Sequence, residues 1–392
     1  MCHPTQDGLH RPRQPITAPL QTMRPLRSPL ESLRNLGRLA GQLRPATPSH
    51  VDVTRPLDFE RDRVVLLHYE DFERDAMLPG DRYVRRGARK VYHAVTKGTT
   101  VSGFEVAYRM LVQALELAGC TVVSSRRIAA RNPRYPVGVC GYTHALDTWT
   151  QPNPIFLGPG MYDHPAQAPR LFDDVRVFSY LVPCPWMQRL FEDAYGRDCP
   201  IWFGGLDTNA WPDLSPQVKD LDFVVYDKIR WERAHWTSEL LSPVEAMLTS
   251  RGLRYETIRY GAYDIATYRA QLARAKGMLF LCEHETQGFA YQEAMSSNVP
   301  ILAWDQGTWL DPVNMPKGAA PVAASSVPYF SEQCGLTFRS ASDFGDVLDR
   351  FISARAHYQP RRFVESHLSF AESARRYLEV YAPVARAASR ST

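Results

Sequence analysis

No apolar run in this sequence approaches the ~20 residues that a membrane-spanning helix needs, and its first residues show no signal-peptide hydrophobic core. Its seven cysteines, Cys2, Cys120, Cys140, Cys184, Cys199, Cys282 and Cys334, are scattered without a CxxC or a Cys/His ligand spacing. That pattern argues against a zinc site and a disulfide framework, and for a reducing cytoplasm. Neither sign of charge dominates: 46 Lys plus Arg stand against 42 Asp plus Glu, which is not the strongly basic footprint of a dedicated nucleic-acid binder. No GxGxxG is present. Two glycines, Gly98 and Gly103, precede a helical pattern, but Phe104 and Glu105 follow where a P-loop needs Lys and Ser/Thr, so a kinase or NTPase is disfavoured.

At 392 residues the chain is long enough for two or three domains. Residues 1–56 stand apart, with eight Arg, no Lys, nine Pro and three acidic residues, and read as a mostly flexible arm. Within it Ser28-Pro29-Leu30-Glu31 has the form of a capping box, and Leu30, Leu33, Leu36, Ala40 and Leu43 recur on one face. A short basic amphipathic helix over 28–43 would lie on an anionic membrane surface, dock on a partner or pack on its own protein. From Arg63 onward strands alternate with helices. Strands are expected at 64–69, 121–123, 137–140, 154–157 and 175–178, and a second set at 223–226, 255–258, 278–282 and 301–304. This order indicates an α/β protein with two parallel, Rossmann-like sheets. Helical patterns run over 104–115 and 344–352, and one long helix over 362–387.

The most informative segment is Glu285-Thr286-Gln287-Gly288-Phe289-Ala290-Tyr291-Gln292-Glu293-Ala294-Met295. It follows the apolar strand 278–282 and ends before Asn298 and Pro300, which stop a short helix. In a strand, loop, helix, strand unit a ligand binds outside the carboxyl end of the strand, facing the helix N-terminus. Gly288 lets the backbone approach an anion. Glu293, one turn in, can accept two hydrogen bonds from a vicinal diol, and Glu285 at the strand tip can reach a second polyhydroxyl group. Two carboxylates alone would also fit the acid/base pair of a hydrolase. With a phosphate cradle between them they point to a nucleotide sugar.

The segment resembles the E-x7-E signature of retaining glycosyltransferases of family 4, with Glu285, Gly288, Glu293, Ala294 and Met295 in register and Thr286 and Gln287 departing from the pattern. Val182-Pro183-Cys184-Pro185-Trp186 and Gly204-Gly205-Leu206-Asp207-Thr208 resemble two further segments of that family, so the likeness extends from about Lys97 to the C-terminus. The resemblance implies a GT-B architecture, two Rossmann-like domains facing a central cleft. The boundaries it suggests are the arm at 1–56, an acceptor-side domain at 57–205, a nucleotide-sugar domain at 206–360 and a helix at 361–392 that packs back on the first domain. It also implies a basic pair behind the first strand of the second domain, here Lys228 and Arg233 with the two residue types exchanged, binding the donor diphosphate with the amides of Gly288 and Phe289. On the acceptor side of the cleft it places, more loosely, Gly98, Ser102 and Gly103. His164, in the loop Gly158–Pro165, either binds acceptor or donor phosphate or simply holds its loop.

The expected activity is transfer of a sugar from a nucleotide-diphosphate sugar to an acceptor hydroxyl with retained configuration. Lys228, Arg233 and Glu285 are expected to be catalytic, and Glu293 to grip the ribose. No cofactor is expected beyond the co-substrate, and no Asp-x-Asp stands in a position to require a metal. The acceptor is a saccharide, a lipid-linked glycan or a nucleic acid, and the protein is expected in the cytoplasm or at a membrane surface. Alternatives are a GT-B epimerase or phosphorylase and a non-catalytic subunit that binds sugar nucleotides.

Overall fold

A computed structural model describes residues 55–70, 78 and 103–390. Residues 1–54 of the arm, with the helix expected over 28–43, and Gly98 and Ser102 lie outside the described residues. Two five-stranded sheets organise the rest. The first holds β1 (Val64–Glu70), β2 (Thr121–Val123), β3 (Val137–Gly141), β4 (Ile155–Leu157) and β5 (Val177–Tyr180) in the order β2-β1-β3-β4-β5. The second holds β6 (Phe223–Lys228), β7 (Tyr255–Arg259), β8 (Met278–Cys282), β9 (Ile301–Trp304) and β10 (Gly335–Phe338) in the order β10-β9-β8-β6-β7. All neighbours pair in parallel. This is the doubly wound, two-domain Rossmann-like arrangement expected of a GT-B architecture, and the winding order is the same in both halves. Each sheet reverses direction beside its first strand, between β1 and β3 and between β6 and β8.

The strands read as unbroken apolar runs because both faces of each sheet are covered. In the second sheet Val224, Tyr226, Met278, Phe280, Ile301 and Ala303 form one core. It packs on α4 (Ile265–Arg274), α5 (Phe289–Ser296) and α7 (Pro360–His367). The alternate residues Phe223, Val225, Leu279, Leu281, Leu302 and Trp304 form another core with α3 (Ser242–Ser250) and α6 (Ala341–Ala354). The period-two division fixes which residues of β6 can reach which helix layer.

Three differences from the sequence reading have physical causes. The 335–338 strand β10 was not expected: only its two ends are buried, so it lacks the apolar run that marks the others. The strand expected over 175–178 begins at Val177, because Val175 is exposed in a turn that the Arg176–Asp174 ion pair (2.6 Å) holds. The single helix expected over 362–387 is two. Helix α7 ends at His367, and α8 (Phe370–Arg390) starts after a break where Leu206 N–H donates to Leu368 O at 2.8 Å. The interdomain crossover thus pairs with the break. A Cβ on Gly205 would lie 2.7 Å from the Phe370 Cα, so that contact admits only glycine.

The break lets the C-terminus serve both halves. Val364 of α7 is buried in the second domain, while Phe370, Ala374, Tyr377, Tyr381 and Ala385 of α8 are buried in the core of the first, against α1 (Gly103–Leu117) and the sheet. The loop between β9 and β10 also crosses over, since Trp309 and Ala324 belong to the first domain's core. Tyr381 supplies a buried polar anchor: its hydroxyl accepts from Leu66 N–H of β1 (3.0 Å) and donates to Pro136 O (2.7 Å). Tyr381→Phe strands both backbone groups and should lower stability by about 1–3 kcal/mol in urea unfolding. A change within error would show that the anchor contributes nothing.

Candidate active site

The carboxyl ends of β6 and β8 meet at the point where the second sheet reverses, and Lys228 pairs with Cys282 in register. The chain leaves β8 through Glu283, His284 and Glu285, which brings Glu285 onto Lys228: the ammonium and the Glu285 Oε1 are in direct ion-pair contact, both side chains largely buried. The Tyr260 ring lies 4.5 Å from the Lys228 Nζ. Burial works against the Lys228 charge, but Glu285 and Tyr260 outweigh it and hold the ammonium above the ordinary lysine range. Lys228 is therefore a cation at any physiological pH.

Glu285 is fixed on both sides of its backbone. Its N–H donates to Ser325 O (2.9 Å), and its carbonyl accepts from the Trp186 indole (2.8 Å) of α2 (Pro185–Tyr195) in the first domain. Ser325 is held in turn by Asp305, whose carboxylate accepts from the Ser325 hydroxyl (2.8 Å) and the Ser326 amide (2.9 Å). Beyond Glu285 the chain reaches Gly288 in the left-handed region (φ +76°) at the N-terminal cap of α5. A Cβ there would lie 2.1 Å from the Tyr291 ring, so glycine is required by sterics as well as by the turn. The first intrahelical bond runs from Gln292 N–H to Gly288 O, and the amides before it have no partner within the helix.

These groups line a cavity of about 330 Å3 between the two domains. Lys228, Tyr226, Tyr260 and the segment from Glu285 to Ala290 form one wall, and Phe104, Met110, Pro159 and Trp202 belong to the other. Gln287 ties the walls together: its Oε1 accepts from Gly204 N–H (3.0 Å) and its Nε2 donates to Gly204 O (3.4 Å).

The remaining expected residues fall elsewhere. Arg233 does not line the cavity. Its guanidinium grips the buried Asp227 through both nitrogens (2.5 and 2.6 Å). Asp227 alternates with Tyr226 and Lys228 along β6 and so faces the opposite helix layer. Arg230 lies closer to the site, 3.3 Å from the His284 Nε2. Glu293 is fully buried on α5 and is not among the lining residues. Gly103 is the first residue of α1. The His164 ring stacks on Trp309 of the second domain (6.0 Å between centroids), and its Nδ1 accepts from Ala166 N–H. His164 thus holds its loop and a domain contact outside the cavity lining.

Sequence reading missed Glu283, fully buried, which accepts from the amides of Arg230 (2.6 Å) and Trp231 (2.8 Å) and so clamps the loops leaving β6 and β8 together. A third carboxylate two positions before Glu285 was the available signal. Among the described residues no group of three or more His, Cys, Asp or Glu stands ready to hold a metal ion. The one Asp-x-Asp beside a strand, Asp220-Leu221-Asp222, precedes β6 at its amino end, paired with Arg274 (2.8 Å) and Lys276 (2.7 Å). No helix of the described residues is long and apolar enough to cross a membrane.

No protein-family model and no curated protein matches the sequence. Solved structures do match in overall shape. AviGT4, a glycosyltransferase involved in avilamycin A biosynthesis, is 12% identical with a TM-score of 0.44, over 82% of this chain and 97% of that one. A glycosyltransferase from Rickettsia africae ESF-5 is 9% identical with a TM-score of 0.45, over 82% and 98%. The lipopolysaccharide outer core galactosyltransferase WaaB in its apo form is 9% identical with a TM-score of 0.44, over 82% and 99%.

Two predictions follow from this geometry. Removing the Arg233 guanidinium leaves Asp227 buried and uncompensated, so Arg233→Met should cost roughly 3–5 kcal/mol in urea unfolding; a neutral result would mean that the pair is not formed. Two histidine rings, buried His284 and partly buried His68, set a pH dependence. Burial, reinforced by Arg230 and Lys228, depresses His284 to about 3, and burial, reinforced by Arg126, depresses His68 to about 4. The unfolded chain takes up these protons near the ordinary histidine value of about 6.5, so stability is fully present above that pH and is lost as pH falls toward 4. Each ring contributes a slope of at most about 1.4 kcal/mol per pH unit. Unfolding free energies at pH 5 and pH 7 should differ less in the His68→Asn, His284→Asn double variant than in wild type; an equal difference contradicts the assignment.

Proposed function

We propose that this chain is a GT-B glycosyltransferase that uses a nucleotide-diphosphate sugar and retains anomeric configuration. The observation that carries the reading is the convergence, at one interdomain cavity, of the Lys228–Glu285 pair with the glycine-capped N-terminus of α5. In this reading the donor diphosphate lies between the Lys228 ammonium and the amides of Gly288 and Phe289, where a fixed positive charge and helix-terminal N–H groups favour an anion. Glu285 is freed from Lys228 to accept hydrogen bonds from the donor sugar. As the acceptor oxygen bonds to the anomeric carbon, the bond to the diphosphate breaks and the hydroxyl proton passes to a departing diphosphate oxygen, while Lys228 and the two amides stabilise the charge growing on the leaving group without a metal. Approach of the two domains around the bound substrates would keep water from competing with the acceptor. Arg233, committed to Asp227, and Glu293, enclosed beneath the helix, are given no donor contact here.

A screen of uridine, guanosine and thymidine diphosphate sugars by thermal shift should find a donor that raises the melting temperature in a concentration-dependent way. With that donor, Lys228→Ala and Glu285→Gln should each lower turnover by roughly 10²–10³-fold while melting cooperatively. Wild-type turnover in both variants, or no shift with any donor, contradicts the reading.

A further inference from the structure

The two walls of the cavity differ in chemistry. Among the described residues every charged side chain that lines it comes from the second domain, as do Thr286 and Gln287. The first domain contributes Phe104, Val106, Ala107 and Met110 from the opening turns of α1, with Pro159 and Trp202 beside them. Among the described lining residues of that wall the only polar side-chain group is the Trp202 indole N–H, which is buried without an acceptor. The backbone of its loops is largely committed as well. The Pro183 carbonyl accepts from the Tyr329 hydroxyl, Gly160 N–H donates to Leu181 O (3.0 Å), and both polar groups of Gly204 are taken by Gln287. Prolines 159 and 183 offer no N–H at all.

A saccharide pressed against these described residues would bury hydroxyls without partners, which disfavours it there. A nucleic acid would need several cations, whereas Lys228 is the only cation among the described lining residues and already faces Glu285. An aromatic or aliphatic body loses nothing there and gains the apolar contact. Resting on the glycosyltransferase reading, we infer that the acceptor is an alcohol or phenol carried on an apolar body, which lies along α1, Pro159 and Trp202 and presents its hydroxyl toward Lys228 and Glu285.

Isothermal titration of the full chain with 2-naphthol, maltose and the diphosphates of uridine, guanosine and thymidine tests this, alongside Ala107→Glu and Phe104→Ala variants whose folding is checked by circular dichroism. Ala107 and Phe104 are only partly buried, so both changes should leave the fold intact. The expected result is 2-naphthol binding roughly tenfold tighter than maltose, weakened about tenfold in folded Ala107→Glu and measurably in Phe104→Ala. Maltose binding as tightly as 2-naphthol, or naphthol affinity unmoved in both folded variants, overturns the inference. The nucleotide arm separates the two claims. Naphthol binding as expected without nucleotide binding counts against the donor assignment alone, whereas nucleotide binding with maltose preferred counts against the acceptor class alone.

Discussion

Everything at the cleft depends on β6 and β8 being hydrogen-bonded neighbours although β7 lies between them in sequence. A parallel sheet that winds outward in both directions from its first strand must leave a gap between the two crossovers at that strand's carboxyl end. Lys228 ends the first strand and Glu285 lies just beyond the end of its neighbour, so the winding order itself produces their contact. Glu283 reinforces it by joining the two departing loops through the amides of Arg230 and Trp231.

The same segment also fastens the domains. Trp186 of the first domain donates to the Glu285 carbonyl, Gln287 pairs with the Gly204 peptide in the crossover, and Tyr329 donates to Pro183 O. The peptide that presents the carboxylate is therefore held by both halves of the molecule, and the carboxylate's position depends on their approach. Gln287, one of the two positions where the segment departs from the family pattern it resembles, accepts from Gly204 N–H at Oε1 and donates from Nε2 to Gly204 O and to the Gln292 Oε1. Its divergence has a structural use that is separate from sugar binding.

Much of this was legible in the sequence, for identifiable reasons. Strands buried on both faces announce themselves as apolar runs, and β6, β8 and β9 do so clearly, whereas β10, with a polar and half-exposed middle, does not. The positions of Lys228 at the end of β6, Glu285 just beyond β8 and Gly288 at the cap of α5 were legible because strand tips and a glycine-capped helix are local features. The contact that Arg233 makes was not legible because sequence offset does not reveal on which face of β6 its partner lies; Asp227, one residue before Lys228, points its carboxylate to the other layer and takes the guanidinium with it. The break between α7 and α8 is a tertiary event, set by the crossover at Gly205 and Leu206 pairing with Leu368 and Ser369 from far along the chain, a contact that local pattern does not show.

The most direct test of the account is a crystal structure with a bound nucleoside diphosphate. The account predicts the terminal phosphate within hydrogen-bond distance of the Lys228 ammonium and of the amides at Gly288 and Phe289, with the Glu285 carboxylate turned from Lys228 toward the vacant sugar position. A nucleotide bound outside the interdomain cavity, or one whose phosphates contact neither Lys228 nor the N-terminus of α5, would contradict it.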